Sequence, residues 1–167
     1  MNLAEAGSGP TKRIVEDHEQ DWIAFVKVLL VLPGMLEAQL LRDSDLTLLG
    51  YMILARLADT PDATLQMSQI ATMANGSLPR TSQAVSRLED RGWIRRTVIS
   101  GRGQGRRFTI ASLTEAGRAH LTQATPAHTA LVRRLVIEPA GGQFSALGSV
   151  AQGIVEAMGL PPRTTAN

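Results

Sequence analysis

The chain has 167 residues, 44% of them hydrophobic, a formal net charge of +2 and no cysteine. That length and apolar content suffice for one compact domain or a small bipartite fold and exclude a disordered chain; the lack of cysteine excludes disulfides, thiol catalysis and thiolate zinc sites. The charge is unevenly placed. Arg80, Arg87, Arg91, Arg95, Arg96, Arg102, Arg106 and Arg107 stand against Glu89 and Asp90, which gives +6 between residues 80 and 107 and −4 over the remainder, the footprint of a surface that meets a polyanion.

In chain order, the first dozen residues are small and polar and read as a frayed arm. They hold no apolar signal-peptide core. The longest apolar run, Trp22 to Leu36, is interrupted by Lys27 and Pro33 and reads as too short to span a bilayer, so the expectation is a soluble, cytoplasmic protein with no membrane partner. Trp22, Phe25, Val26, Leu29, Leu30, Leu36 and Leu40 recur at helical spacing, which predicts a long first helix from Asp17, bent at Pro33-Gly34. Its apolar girth is wide, which favours burial on more than one side, for example against a partner subunit.

Thr47 is the expected N-cap of a second helix that places Leu49, Ile53, Leu54 and Leu57 on one side and stops at Pro61. "LQMSQIATMANG" and "SLPRTSQAVSRLEDRG" read as two short helices, the first ending at Asn75-Gly76 and the second at Gly92. "WIRRTVI" and "RRFTIASL" are β-prone and flank a glycine-rich stretch. The predicted fold is therefore mainly α, with a winged helix-turn-helix and a two-stranded β wing. Beyond the wing, Thr114 caps a further helix with a kink at Pro126, and a last helix from Phe144 to Met158 aligns Phe144, Leu147, Val150, Ile154 and Met158.

The second helix of the motif carries the chemistry. At 100° per residue, Leu78, Thr81, Val85 and Leu88 form a core-facing stripe, while Arg80, Gln83, Ser86, Arg87 and Asp90 fall opposite. Ser77 is placed to cap it, and Pro79 sits in the first turn, where its missing N–H does no harm. Glutamine pairs bidentately with adenine, arginine with guanine or phosphate, and serine with either. Ser77, Arg80, Thr81, Ser82, Gln83, Ser86 and Arg87 are the candidate DNA contacts here, with Ser82 and Gln83 near bases and Arg80 and Arg87 shared between phosphate and base.

These residues resemble the MarR family of bacterial transcription factors. The resemblance covers roughly Trp22 to Met158 and rests on "LPRTSQAVSRLEDRGWIRR", similar to the family's recognition helix ending in Leu-Glu-x-Arg-Gly, and on "SLTEAGRAHL", similar to the Leu-Thr-x-x-Gly segment after the family's wing. It implies a homodimer whose first and last helices interlock and whose two winged domains enter successive major grooves of double-stranded DNA at a near-palindromic operator. The domain plan it implies is an arm over 1–14, dimerisation helices over 15–43 and 114–160, a DNA-binding domain over 44–113 and a tail over 161–167. It also implies a repressor relieved by a small aromatic or anionic effector. The family's wing usually carries Asp-x-Arg, whereas Ser100-Gly101-Arg102 and Gly105-Arg106-Arg107 stand here. Arg102, Arg106 and Arg107 are thus equal candidates for the minor groove.

Other readings compete. The stretch "ISGRGQGRRF" is followed by a second β-prone run rather than a helix, which argues against a nucleotide-phosphate loop. As an Arg/Gly segment it fits a non-specific RNA or DNA binder, yet aromatic stacking platforms are lacking. A protein-interaction module using the winged fold without DNA is the rival from another class. His120 and His128 lie two helical turns apart and would share a groove only if Pro126 left the helix intact, so metal binding is not expected. "EDHEQD" reads as a solvated helix start, and neither catalytic residues nor a cofactor are expected. Trp22 and Tyr51 are candidate walls of a ligand pocket, with core packing the alternative.

Overall fold

The computed structural model describes residues 18–73, 78–100 and 107–160. In chain order these form α1 (Glu19–Ser44), α2 (Leu48–Ala58), β1 (Thr64–Gln66), α3 (Met67–Met73), α4 (Leu78–Asp90), β2 (Ile94–Ser100), β3 (Arg107–Leu113), α5 (Glu115–Val132), a π turn (Arg133–Ile137), the short turns α6 (Glu138–Ala140) and Gly141–Gln143, and α7 (Phe144–Ala157). Two compact units result, divided between Met35 and Leu36.

In the first unit, α1 stays helical through Pro33. The apolar run that reads as too short for a bilayer is therefore part of a 26-residue helix, long and apolar enough by length and composition to cross a membrane. Trp22, Ile23, Val28, Leu29, Leu30 and Val31 are exposed, and the Trp22 and Phe25 rings lie 6.2 Å apart.

The second unit is built around Leu40, Leu46, Ile53, Leu54, Leu57, Ile70, Val85, Leu88, Ile94, Ala111, Leu121 and Ala124. Local signals set several boundaries. The Thr47 hydroxyl accepts from the Gly50 N–H (3.0 Å) and caps α2. Gly92, at φ +72, ends α4 in a Schellman motif, with Trp93 N–H bonded to the Leu88 carbonyl and Gly92 N–H to that of Glu89. The chain thereby turns directly from α4 into β2.

The two-stranded wing of β2 and β3 belongs to a larger sheet. It has three antiparallel strands in the order β1-β3-β2, with Leu65 and Arg96 both in register with Ala111. Leu65 and Gln66 belong to the segment read as a helix, but Ala63 takes a left-handed turn at φ +47 and its carbonyl accepts from Leu113 N–H. The Thr64 and Ser112 hydroxyls then meet at 2.9 Å. Three residues are too few to show a strand period, so only the pairing reveals β1.

After the sheet, Thr114 Oγ1 accepts from Gly117 N–H (3.0 Å) and starts α5, which is helical across Pro126. α7 is exposed at all residues but Gln152 and Val155, including Phe144, Leu147, Val150 and Ile154, as is Met158 just beyond it.

Candidate nucleic-acid interface

The wheel drawn from sequence separates α4 well, and it decides against Thr81 as a DNA contact. Thr81, Val85 and Leu88 are at most 4% exposed, so Thr81 packs into the core and does not share the outer face with the other candidates. Arg80, Ser82, Gln83, Arg87 and Asp90 are exposed, and Ser86 is half-buried. Two clefts flank the helix. One is bordered by Ser68, Ser82, Arg96 and Phe108; the other by Glu37, Thr47, Arg80, Gln83 and Arg87. Ser77, Arg102, Arg106 and the Asn75-Gly76 turn lie outside the described residues.

Two arginines of the basic block are engaged within the fold. Arg91 pairs with Asp45 at the end of α1 and lies over the Trp93 ring, its guanidinium carbon 5.8 Å from the centroid. Arg96 pairs with Glu89 (2.5 Å), and its hydrogen bonds hold the Glu89 carboxyl below the usual carboxylate range. Among the described residues, Arg80, Arg87, Arg95 and Arg107 are in no carboxylate pair. Register places Arg107 on the hairpin face of Ser100, Val98 and Arg96, the face that touches α4, and Arg95 on the opposite face. The cations on the α4 side are thus Arg80, Arg87 and Arg107.

The wing root is held by polar contacts that composition does not show. Thr114 Oγ1 donates to the Gly92 carbonyl (2.7 Å) while Thr114 N–H donates to that of Trp93 (3.0 Å). His120 stacks on Trp93 with centroids 3.9 Å apart and planes at 13°, and its Nε2–H donates to the Ser44 carbonyl (2.8 Å). His128 belongs to another network. Its Nδ1–H donates to Gln39 Oε1 (3.2 Å), Gln39 Nε2 donates to Asp43 Oδ2 (3.0 Å), and the ring meets Tyr51 at 4.4 Å. The two histidines share no groove even though α5 is unbroken, and no metal-holding group of three or more His, Cys, Asp or Glu occurs among the described residues. Tyr51 is half-buried, its hydroxyl 3.4 Å from that of Thr125; Trp22 is in the other unit, against Phe25.

Burial pushes the His128 imidazole below the ordinary histidine value. The unfolded chain therefore takes up the proton first, so this group's contribution to stability is complete above about pH 6.5 and is lost as pH falls through the window below it. Urea unfolding across that range will show stability dropping by up to about 1.4 kcal/mol per pH unit from this group. His128→Gln should flatten the slope; an unchanged slope would show that His128 is not the group responsible.

A MarR family model matches residues 44–107. The MarR family transcriptional regulator Sco3205 from Streptomyces coelicolor, solved in complex with DNA, is 29% identical, superposes with a TM-score of 0.78 and covers 86% of this chain and 92% of its own. AbsC, a MarR family transcriptional regulator from the same organism, is 27% identical with a TM-score of 0.78, covering 89% and 98%. Residues 44–107 thus match the MarR family, and the chain as a whole is similar to MarR family transcriptional regulators. The transcriptional regulator BldR from Sulfolobus solfataricus, at 19% identity and a TM-score of 0.70, shares the fold. Among curated proteins none matches significantly.

The MarR resemblance in "SLTEAG" now has a steric basis. A Cβ at Gly117 would stand 2.0 Å from the Trp93 carbonyl oxygen, so in this chain α5 closes onto the wing root without strain only with glycine there. Glu89 and Asp45 were absent from the candidates in the sequence, and His120 was weighed there only as a metal ligand; for Glu89 the signal was a carboxylate inside an arginine-rich run, seven residues from Arg96.

Proposed function

We propose that this protein is a MarR-family regulator, a cytoplasmic homodimer that represses transcription by binding a near-palindromic DNA operator, with no catalytic step. The observation that carries the reading is α4: three side chains seat it in the core while Arg80, Ser82, Gln83 and Arg87 stand free on the outer face. The DNA-bound relative of similar fold supports it. α4 is then the recognition helix, Gln83 and Ser82 face base edges, and Arg80, Arg87 and Arg107 meet the backbone and the adjacent groove. The apolar surfaces of α1 and α7, exposed in the single chain, favour coverage by a second copy. A dimer places two recognition helices about one helical turn apart. Relief by a small aromatic or anionic ligand belongs to the same proposal, with Tyr51 in the pocket wall and Trp22 on the dimer face.

Selection of bound sequences from a random DNA pool tests operator, symmetry and half-site spacing together. On the selected DNA, three arginines per protomer should give a log K versus log[salt] slope of about −5, at roughly −0.9 per phosphate contact. Binding that barely responds to salt would remove the proposal. Gln83→Ala should relax base preference at one position, whereas Arg87→Ala should weaken selected and random DNA alike. Equal losses on both DNAs for Gln83→Ala would take that residue out of base readout.

A further inference from the structure

The chain leaves the body of the molecule along β2 just past Arg96, while β3 stays half-buried or buried from Phe108 on. Along β2, Ile94 is buried and Arg96 half-buried, while Thr97 to Ser100 are all exposed. β2 is also the edge strand of its sheet, so its outward N–H groups have no neighbouring strand to bond. Glu89, in the last turn of α4, takes that place. Its Oε1 accepts from Arg96 N–H (3.0 Å), and its Oε2 accepts from Arg96 Nε (2.6 Å) and Nη2 (2.5 Å).

One carboxylate thus grips both the backbone and the guanidinium of the last β2 residue that is not exposed. Val85 and Leu88 are buried beneath the same helix, so Glu89 stands on a fixed platform. A charged fork of this kind is directional and stronger than neutral hydrogen bonds. It also withdraws Arg96 from the pool of cations open to a polyanion, which argues for a mechanical role rather than a contact.

We propose that Glu89 is a positioning residue: through Arg96 it sets the angle of the β2–β3 hairpin against the recognition helix and so holds Arg107 at the DNA. The inference rests on the DNA-binding reading above. Arg107 shares the hairpin face of Arg96 and sits four residues from Ala111, the register partner of Arg96. With the clamp intact the hairpin is ordered before DNA arrives, and binding does not bear the cost of ordering it. Without the clamp the Arg107 contact survives as chemistry but is poorly placed.

The test is a double-mutant cycle between Glu89 and Arg107, measured as affinity for DNA selected by the wild-type protein. Arg107→Ala should weaken binding about 10-fold in the wild-type background, the scale of 1.4 kcal/mol, and about 2-fold or less in Glu89→Gln. A role in stability alone would leave the two losses equal, and equal losses would overturn the proposal. Arg96→Lys, which keeps the charge but loses the fork, should reproduce the effect if Glu89→Gln melts early. Base preference in a fresh selection should be unchanged in both variants, since Ser82 and Gln83 on the outer face of α4 are untouched. A wild-type protein that enriches no DNA sequence would instead bring down the DNA-binding reading itself, an outcome separate from a cycle without coupling.

Discussion

Gly117→Ala will destabilise the winged unit by about 1–3 kcal/mol, although alanine is ordinarily the better helix former by about 1 kcal/mol. The sign is decided by space. An added Cβ meets the Trp93 carbonyl oxygen at 2.0 Å, its carbon at 2.8 Å and Leu113 Cδ1 at 2.9 Å. Two of these atoms are backbone, which yields less readily than the end of a long side chain. That carbonyl also accepts the Thr114 N–H, so moving it away strains the joint between the recognition helix and α5. Urea unfolding of the variant is the measurement. Equal or greater stability would show that the Trp93 peptide gives way, and the joint would then be softer than its geometry indicates.

The second large effect concerns assembly. Leu147→Glu combined with Ile154→Glu will leave the protein monomeric at the micromolar concentration where the proposed dimer forms, read by sedimentation. Both side chains are about two-fifths exposed in the single chain, at 43% and 39%, so their replacement costs the protomer little of its own packing. In the proposed dimer the same charges would be buried against an apolar partner without counter-ions, which costs several kcal/mol each. DNA affinity should then fall by about 100-fold or more, because the second half-site is no longer held at high effective concentration. A variant that remains dimeric would move the interface away from α7. The wild-type mass also bears on α1: a dimer soluble without detergent explains its apolar face as subunit contact.

Much of the winged unit is written in short-range signals. The Thr47 and Thr114 caps, the Gly92 stop and the stripe of Val85 and Leu88 each depend on residues within about two helical turns, and each falls where the periodicity places it. β1 does not, since three residues show no period until Thr64 meets Ser112, 48 positions away. α5 continues across Pro126 and on into a π turn, which the proline signal alone does not foretell.

The candidate interface divides in the same way. Charge counting makes eight arginines equivalent, but Arg91 is joined to Asp45 and Arg96 to Glu89. Both histidines of α5 carry the same chemistry in sequence; one is stacked on Trp93 and the other buried against Gln39 and Tyr51. By itself, then, the sequence determined the mainly helical winged architecture, the likeness to MarR regulators and the two faces of α4, because helical period, capping and glycine conformation act over a few residues. Only the tertiary structure decided which arginines remain available and that Glu89 ties the wing to α4. Those outcomes depend on which side chains meet across separate elements, and burial and pairing exist only once the chain has closed on itself.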